Sequence, residues 1–177
     1  MKLAIHNPLD RTTVLRKPTA EDGADIWDLI QACKPLDENS MYCNLLQADH
    51  FRDTCVIAER DGKILGWISA YLVPDDAEKV FVWQVAVSEQ ARGLGLGSRM
   101  LQHLLERTEC KDVKSLQTTI TLDNEASWAL FRRFADKNDG ELTHEPHFKR
   151  NDHFGGQHAT EHMVTISLRE EKMRKAA

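Results

Sequence analysis

The segment that most restricts the fold is Gln90-Ala91-Arg92-Gly93-Leu94-Gly95-Leu96-Gly97. It follows the apolar run Val80-Phe81-Val82-Trp83-Gln84-Val85-Ala86-Val87. Glycines at alternate positions give the backbone access to left-handed conformations that a continuing strand does not use. Beyond them Leu96, Met100, Leu101, Leu104 and Leu105 repeat at helical spacing, which predicts a helix from about Ser98 to Glu109. Strand, glycine turn, helix is an arrangement with chemical consequences. Small residues let the main chain approach a ligand, successive N–H groups can converge on an anion, and the helix N-terminus adds its positive dipole end. Arg92 adds a fixed positive charge. The turn therefore reads as a pyrophosphate cradle, against the plainer alternative of a glycine-rich helix entry with no ligand. No Gly-Lys-Ser/Thr follows, and the spacing departs from the dinucleotide Gly-x-Gly-x-x-Gly.

The remaining elements fall into place around this turn. Thr19-Ala20-Glu21-Asp22 reads as a helix start with Thr19 as cap, and Pro35 as the stop. Leu36 to His50 reads as a loop and a short helix. Thr54–Glu59 and Lys63–Leu72 are strand-like runs joined by Arg60-Asp61-Gly62, whose Asp-Gly pair marks a tight hairpin. After the Pro74-Asp75-Asp76 turn, Lys79–Val87 is so continuously apolar that burial on both faces is expected. Val113–Thr121 is a further strand, and Asp123 or Asn124 caps a helix to about Ala135. Asn138-Asp139-Gly140 is a turn, Thr143–His158 is irregular, and Thr160–Leu168 is a closing strand. Residues 14–168 form one domain between short tails, 1–13 and 169–177. The order predicts an α/β (α+β) fold with a mixed, mostly antiparallel central sheet flanked by helices.

Composition narrows the function classes. The chain has 177 residues, 41% hydrophobic and 29% charged, an ordinary globular balance. No apolar stretch approaches the roughly 20 residues that cross a bilayer, and no signal-peptide core follows Met1. These features predict a cytoplasmic protein without a membrane partner. A formal charge of −5 argues against a nucleic-acid surface. The cysteines at 33, 43, 55 and 110 have neither disulfide nor zinc spacing. Five of the eight histidines lie between His144 and His162, but His144-x-x-His147 straddles Pro146 and no known ligand spacing is completed. No metal is expected.

Gln90-x-x-Gly93-x-Gly95 resembles the Q/R-x-x-G-x-G/A motif of the GNAT superfamily of N-acetyltransferases, and the elements around it sit in that family's order. The resemblance implies acetyl-CoA as co-substrate, bound where the central strands splay. It assigns the pyrophosphate to Arg92, Gly93, Leu94, Gly95, Leu96, Gly97 and Ser98, and the pantetheine arm to the main chain of Val85, Ala86 and Val87. Asn124 and Ser127 resemble the later helix start that contacts the coenzyme. Phe131 stands where many members carry a tyrosine acid, so the group that protonates the leaving thiolate is unassigned.

Four stretches are more specific. Leu36-Asp37-Glu38-Asn39-Ser40-Met41-Tyr42, Gly66-Trp67-Ile68-Ser69-Ala70-Tyr71, Phe81–Val87 and His153-Phe154-Gly155-Gly156-Gln157-His158-Ala159-Thr160-Glu161 resemble the diaminobutyrate acetyltransferases of ectoine synthesis. The resemblance implies a small amino-acid substrate, acetylation of the 4-amino group of L-2,4-diaminobutyrate, and a homodimer. Such a substrate needs acids for its ammoniums and donors for its carboxylate. Asp37 and Tyr42 are the candidate substrate contacts, with Glu38 ranked below them. Trp83 is either a core residue or a wall of the site. The amine must shed a proton before it attacks, and His158, Glu161 and Glu59 are the candidate acceptors. A strand N–H near Val85 can hold the oxyanion. Alternatives are another small-amine acetyltransferase, a non-catalytic acetyl-CoA-binding domain, or a nucleotide-binding turn.

Overall fold

The chain alternates between segments that pair as strands and segments with one apolar helical face. The computed structural model describes residues 13–34 and 36–168. Pro35 and the expected tails, Thr13 apart, lie outside them. The strands are β1 (Val14–Arg16), β2 (Val56–Arg60), β3 (Lys63–Val73), β4 (Asp76–Val87), β5 (Ser115–Thr121), β6 (Glu141–Phe148) and β7 (Glu161–Ser167). The helices are α1 (Gly23–Ala32), α2 (Met41–His50), α3 (Leu96–Leu105) and α4 (Glu125–Lys137). Strands hydrogen-bond in the order β1-β2-β3-β4-β5-β7-β6. The β4–β5 ladder is parallel, whereas β1–β2, β2–β3, β5–β7 and β6–β7 are antiparallel, so the sheet is mixed as expected. Two compact units divide the chain. One takes in the described residues up to Ser69 together with Gln84–Leu104; the other takes in Ala70–Trp83 and the described residues from Leu105 on.

In the first unit, Asp61 and Gly62 both take positive φ, 51° and 74°, the pair of left-handed residues that a two-residue hairpin requires. Arg60 and Lys63 close that hairpin as register partners. Ile57 and Trp67 also face one another in register and are fully buried with Ile26, Ile30, Ala48 and Ala86 in one apolar cluster. The alternate residues point to the opposite face. A Cβ on Gly66 there would meet Met100 of α3 at 2.8 Å. Gly66 thus lets α3 lie close against β3. A three-residue strand, β1, was not legible in the sequence because so short a run carries no periodicity. It is held by Arg16, which pairs with both Asp22 oxygens at 2.7 and 2.8 Å and with Glu59 of β2 at 2.8 Å.

In the second unit, β5 pairs with β7 along its whole length, and Leu116, Ile120, Val164 and Ile166 are its buried apolar positions. Asn124 caps α4, its Oδ1 accepting from Ser127 N at 3.1 Å.

The structure corrects three expectations. Thr143–His158 is not irregular throughout, because Glu141–Phe148 is a strand paired with β7. Its residues are nearly all exposed, so it lacks an apolar face, and Pro146 sits beside a register shift, as proline does at sheet edges. Next, β4 is not buried on both faces: Val80, Val82, Gln84 and Ala86 are buried, while Phe81, Trp83, Val85 and Val87 are open in varying degree. Finally, α3 starts at Leu96 and ends at Leu105, with a separate 3-10 turn at Thr108–Cys110.

Replacing Asp22 tests the brace that fixes β1. Arg16 holds the Asp22 carboxyl below the usual carboxylate range. Its stabilisation is therefore complete above the ordinary aspartate value of about 3.9 and is lost as pH falls through the depressed folded value. Asp22→Asn is expected to lower stability by about 1–3 kcal/mol at pH 7. In urea unfolding the gap to wild type should shrink below pH about 4. A gap that stays constant down to pH 3 would assign the loss to something other than the charge.

Candidate active site

The turn out of β4 is set by backbone conformation. Ser88 N donates to the Leu65 carbonyl at 2.9 Å, and one 3-10 turn, Glu89–Ala91, follows. Gly93 and Gly95 then take φ of 74° and 77°. Nothing lies within 4 Å of a Cβ built on either, so these positions need glycine for the sign of φ and not for space. Left-handed residues on both sides of Leu94 are the alternation from which successive N–H groups form an anion nest. The Gly95 carbonyl takes the first bond of α3, from Arg99 N at 3.1 Å. The N–H groups of Leu96, Gly97 and Ser98 precede it and have no partner within the helix. Arg92 is exposed, and its Nε donates to the Val87 carbonyl at 3.2 Å. Cys33 Sγ lies 3.3 Å from the same carbonyl, so the protein itself already engages that oxygen.

Asp37 and Tyr42 belong to the same unit. They flank the passage from α1 to α2, both are exposed, and Tyr42 is 68% accessible in the first turn of α2. Ser40 caps α2, its Oγ accepting from Cys43 N at 3.1 Å. Glu38 pairs with Lys34 and accepts from Gln31 Nε2 at 3.1 Å. It braces the loop against α1 and is a poorer substrate group than Asp37. Glu59 is likewise engaged by Arg16. Gln84 was passed over in the sequence and proves central to this loop. It is 8% accessible, and its Nε2 donates to the Asp37 carbonyl at 2.8 Å. The signal was present, since Gln84 is the one polar residue in the run Val80–Val87.

The second unit holds Trp83, Asn124, Ser127, Phe131, His158 and Glu161. Trp83 is 48% accessible and is not a core tryptophan. The β4–β5 ladder is short: it runs from Lys79↔Ser115 to Phe81↔Gln117, and β4 continues beyond it to Val87. Asn124 and Ser127 are joined by the helix cap described above. Phe131 is 3% accessible in the core, so it offers neither a hydroxyl nor access. His158 Nδ1 lies 2.8 Å from the Ala159 carbonyl, which can only accept, so Nδ1 carries a proton there. In neutral His158 the acceptor nitrogen is then Nε2, 3.9 Å from Glu161 Oε1. The Thr121 side chain, a backbone hydrogen bond of its own and, least, the nearby charge of His158 hold Asp123 below the usual carboxylate range. Gly155 and Gly156, at φ of 56° and 82°, shape the turn that leads to His158. Among the described residues no cluster of three or more His, Cys, Asp or Glu is arranged to hold a metal ion, and no helix is long and apolar enough to cross a membrane.

Comparison with known proteins agrees with this geometry. Residues 23–135 match the Acetyltransferase (GNAT) family. The chain is similar to the L-2,4-diaminobutyric acid acetyltransferase of Vibrio cholerae, 47% identical over 88% of this chain and 90% of that one. It is also 47% identical to the enzyme of that name from Methylotuvimicrobium alcaliphilum, over 86% of this chain and 88% of the relative. Among solved structures it is similar to the diaminobutyrate acetyltransferase of Paenibacillus lautus, in complex with its substrate L-2,4-diaminobutyric acid and coenzyme A. That likeness has a TM-score of 0.83 at 38% identity and covers 88% of this chain and 95% of that one.

Gly95→Ala tests the cradle. Holding alanine at left-handed φ costs about 1–2 kcal/mol. If the turn relaxes to avoid that cost, its N–H groups lose their common direction. Calorimetric titration is expected to show coenzyme A affinity falling by about tenfold or more, roughly 1.4 kcal/mol. Unchanged affinity would remove the turn from the anion site.

Proposed function

Because the chain belongs to the GNAT family of acetyltransferases, and within it to the L-2,4-diaminobutyric acid acetyltransferases, we propose that it transfers the acetyl group of acetyl-CoA to the 4-amino group of L-2,4-diaminobutyrate. The observation that carries this reading is the 47% identity across 88% of the chain with a relative of that name. The turn suits the donor: two left-handed glycines, the N-terminal amides of α3 and an anchored arginine fit a pyrophosphate. Bound acetyl-CoA supplies the acetyl group as a thioester.

The chain's own residues do the rest. Arg92 and the main chain of Gly93–Ser98 hold the pyrophosphate, with Asn124 and Ser127 contributing at the start of α4. The backbone of Val85, Ala86 and Val87 aligns the pantetheine arm, and the Val85 N–H steadies the oxygen that gains charge on attack. Trp83 forms a wall beside the reacting carbon. Asp37 and Tyr42 take the acceptor's ammonium and polar groups. An alkylammonium titrates near about 10.4, so freeing its lone pair at pH 7.5 costs about 4 kcal/mol. His158 takes that proton on Nε2, with Glu161 as its neighbour. The direct attack needs no covalent enzyme intermediate.

On the same footing we assign residues 14–168 to the acetyltransferase domain, between tails 1–13 and 169–177. We also assign the enzyme to the cytoplasm, as a homodimer, in the first committed step toward the osmolyte ectoine. Family resemblance supports these assignments, and light scattering on the purified protein tests the dimer.

The direct test is coenzyme A release with acetyl-CoA and L-2,4-diaminobutyrate, with ornithine and lysine as controls and NMR of the product. Selective turnover to the N4-acetyl product is expected. Coenzyme binding without turnover on diaminobutyrate would overturn the substrate and direct attention to other amines. His158→Gln should lower kcat by about 10²-fold or more at pH 7.5, with the KM for acetyl-CoA unchanged. A kcat within threefold of wild type would take His158 out of the proton path.

A further inference from the structure

We infer that Gln84 is a positioning residue for the acceptor, acting through the main chain of the Asp37 loop. The inference rests on the reading of Asp37 and Tyr42 as acceptor contacts. Gln84 lies on β4 among Val80, Val82 and Ala86, all buried, where a residue of similar size without polar atoms would pack at less cost. Its Nε2 donates to the Asp37 carbonyl at 2.8 Å, whereas its Oε1 is buried and accepts from no described residue. A buried amide matched at one end only is an expensive way to fill a core, and such groups in native proteins call for an explanation. Here the matched end supplies it.

The loop needs such a tether. Leu36–Ser40 connects α1 to α2 without regular structure, and Asp37 and Glu38 are exposed. Its local braces include the Leu36 N bond to the Cys33 carbonyl, the Glu38 contacts to Lys34 and to Gln31 of α1, and the Ser40 cap of α2. The Gln84 bond reaches from β4, across 47 residues of sequence, to the main chain of the acidic residue itself. Its covalent neighbour Val85 is assigned to the thioester side. Gln84 therefore sets the Asp37 backbone relative to the strand that aligns the donor. A loose tether costs acceptor binding first, because loop ordering must then be achieved on binding.

The side chain is specific to the task. Methionine keeps the volume and loses the donor. Asparagine keeps the amide but withdraws it by one methylene, too short for a 2.8 Å bond to the same oxygen.

The test compares wild type, Gln84→Met and Gln84→Asn in two readouts: steady-state kinetics with acetyl-CoA and L-2,4-diaminobutyrate, and amide hydrogen exchange across residues 36–40 without ligands. Both variants are expected to raise the KM for diaminobutyrate about tenfold, leave the KM for acetyl-CoA within twofold, and speed exchange at 36–40. A diaminobutyrate KM within twofold of wild type, or unchanged exchange in the loop, overturns the inference. If one variant does not fold, the other decides. If wild type does not acetylate diaminobutyrate, the substrate reading fails by itself. The exchange data still decide whether Gln84 holds the loop.

Discussion

The passage from β4 into α3 requires the chain to take positive φ twice within three residues, at Gly93 and Gly95. Each of these positions has open space and still needs glycine. The consequence is directional. Once the turn is made, the first bonded amide of α3 is that of Arg99, and the amides of Leu96, Gly97 and Ser98 before it have no partner within the helix. Gly66 completes the arrangement from the opposite side by letting Met100 approach β3. An anion-binding helix terminus here depends on two kinds of glycine, one chosen for torsion and the other for clearance.

A second constraint sorts the acidic residues of the first unit. Glu59, Asp22 and Glu38 look alike in sequence, as polar residues beside apolar runs. In the structure Arg16 engages Asp22 and Glu59, and Lys34 engages Glu38. A carboxylate held this way has little left to offer a substrate ammonium. For Asp37 it is the main chain that carries the tether to Gln84. Fixing the backbone while leaving the side chain exposed is how a loop can present an acid in a defined position.

Much of this was legible beforehand. The Asp61-Gly62 hairpin, the glycine turn, the Asn124 cap and the apolar faces of α3 and α4 follow from local rules of torsion, capping and periodicity. What escaped notice was non-local. β1 exists because Arg16 meets partners at positions 22 and 59, and no window of sequence contains that fact. β6 is polar on both sides because it is an edge, so its pattern does not alternate. β4 reads as uniformly apolar, yet one of its faces is half-open. Phe81, Trp83, Val85 and Val87 carry the same hydrophobic signal whether they meet protein or are reserved for a ligand. Family resemblance supplied Asp37, Tyr42 and His158 as candidates, which periodicity alone leaves as turn and surface residues.

The proton is the chemical step on which the second unit bears. The Ala159 carbonyl fixes the His158 tautomer, since a proton must lie on Nδ1 to satisfy a 2.8 Å contact with an acceptor. In neutral His158 the acceptor nitrogen is then Nε2, 3.9 Å from Glu161 Oε1. A proton on Nε2 would face the Glu161 carboxylate, and Asp123, held below the usual carboxylate range chiefly by Thr121, contributes a second negative charge nearby. If His158 accepts the amine's proton, as proposed, Glu161 and Asp123 supply the negative charge that steadies the imidazolium. The reverse duty, returning a proton to the departing thiolate, cannot fall to Phe131, which is buried and has no hydroxyl. On the proposed role of His158, the proton it accepts from the amine would be available for return to the thiolate, and that role would need no second acid.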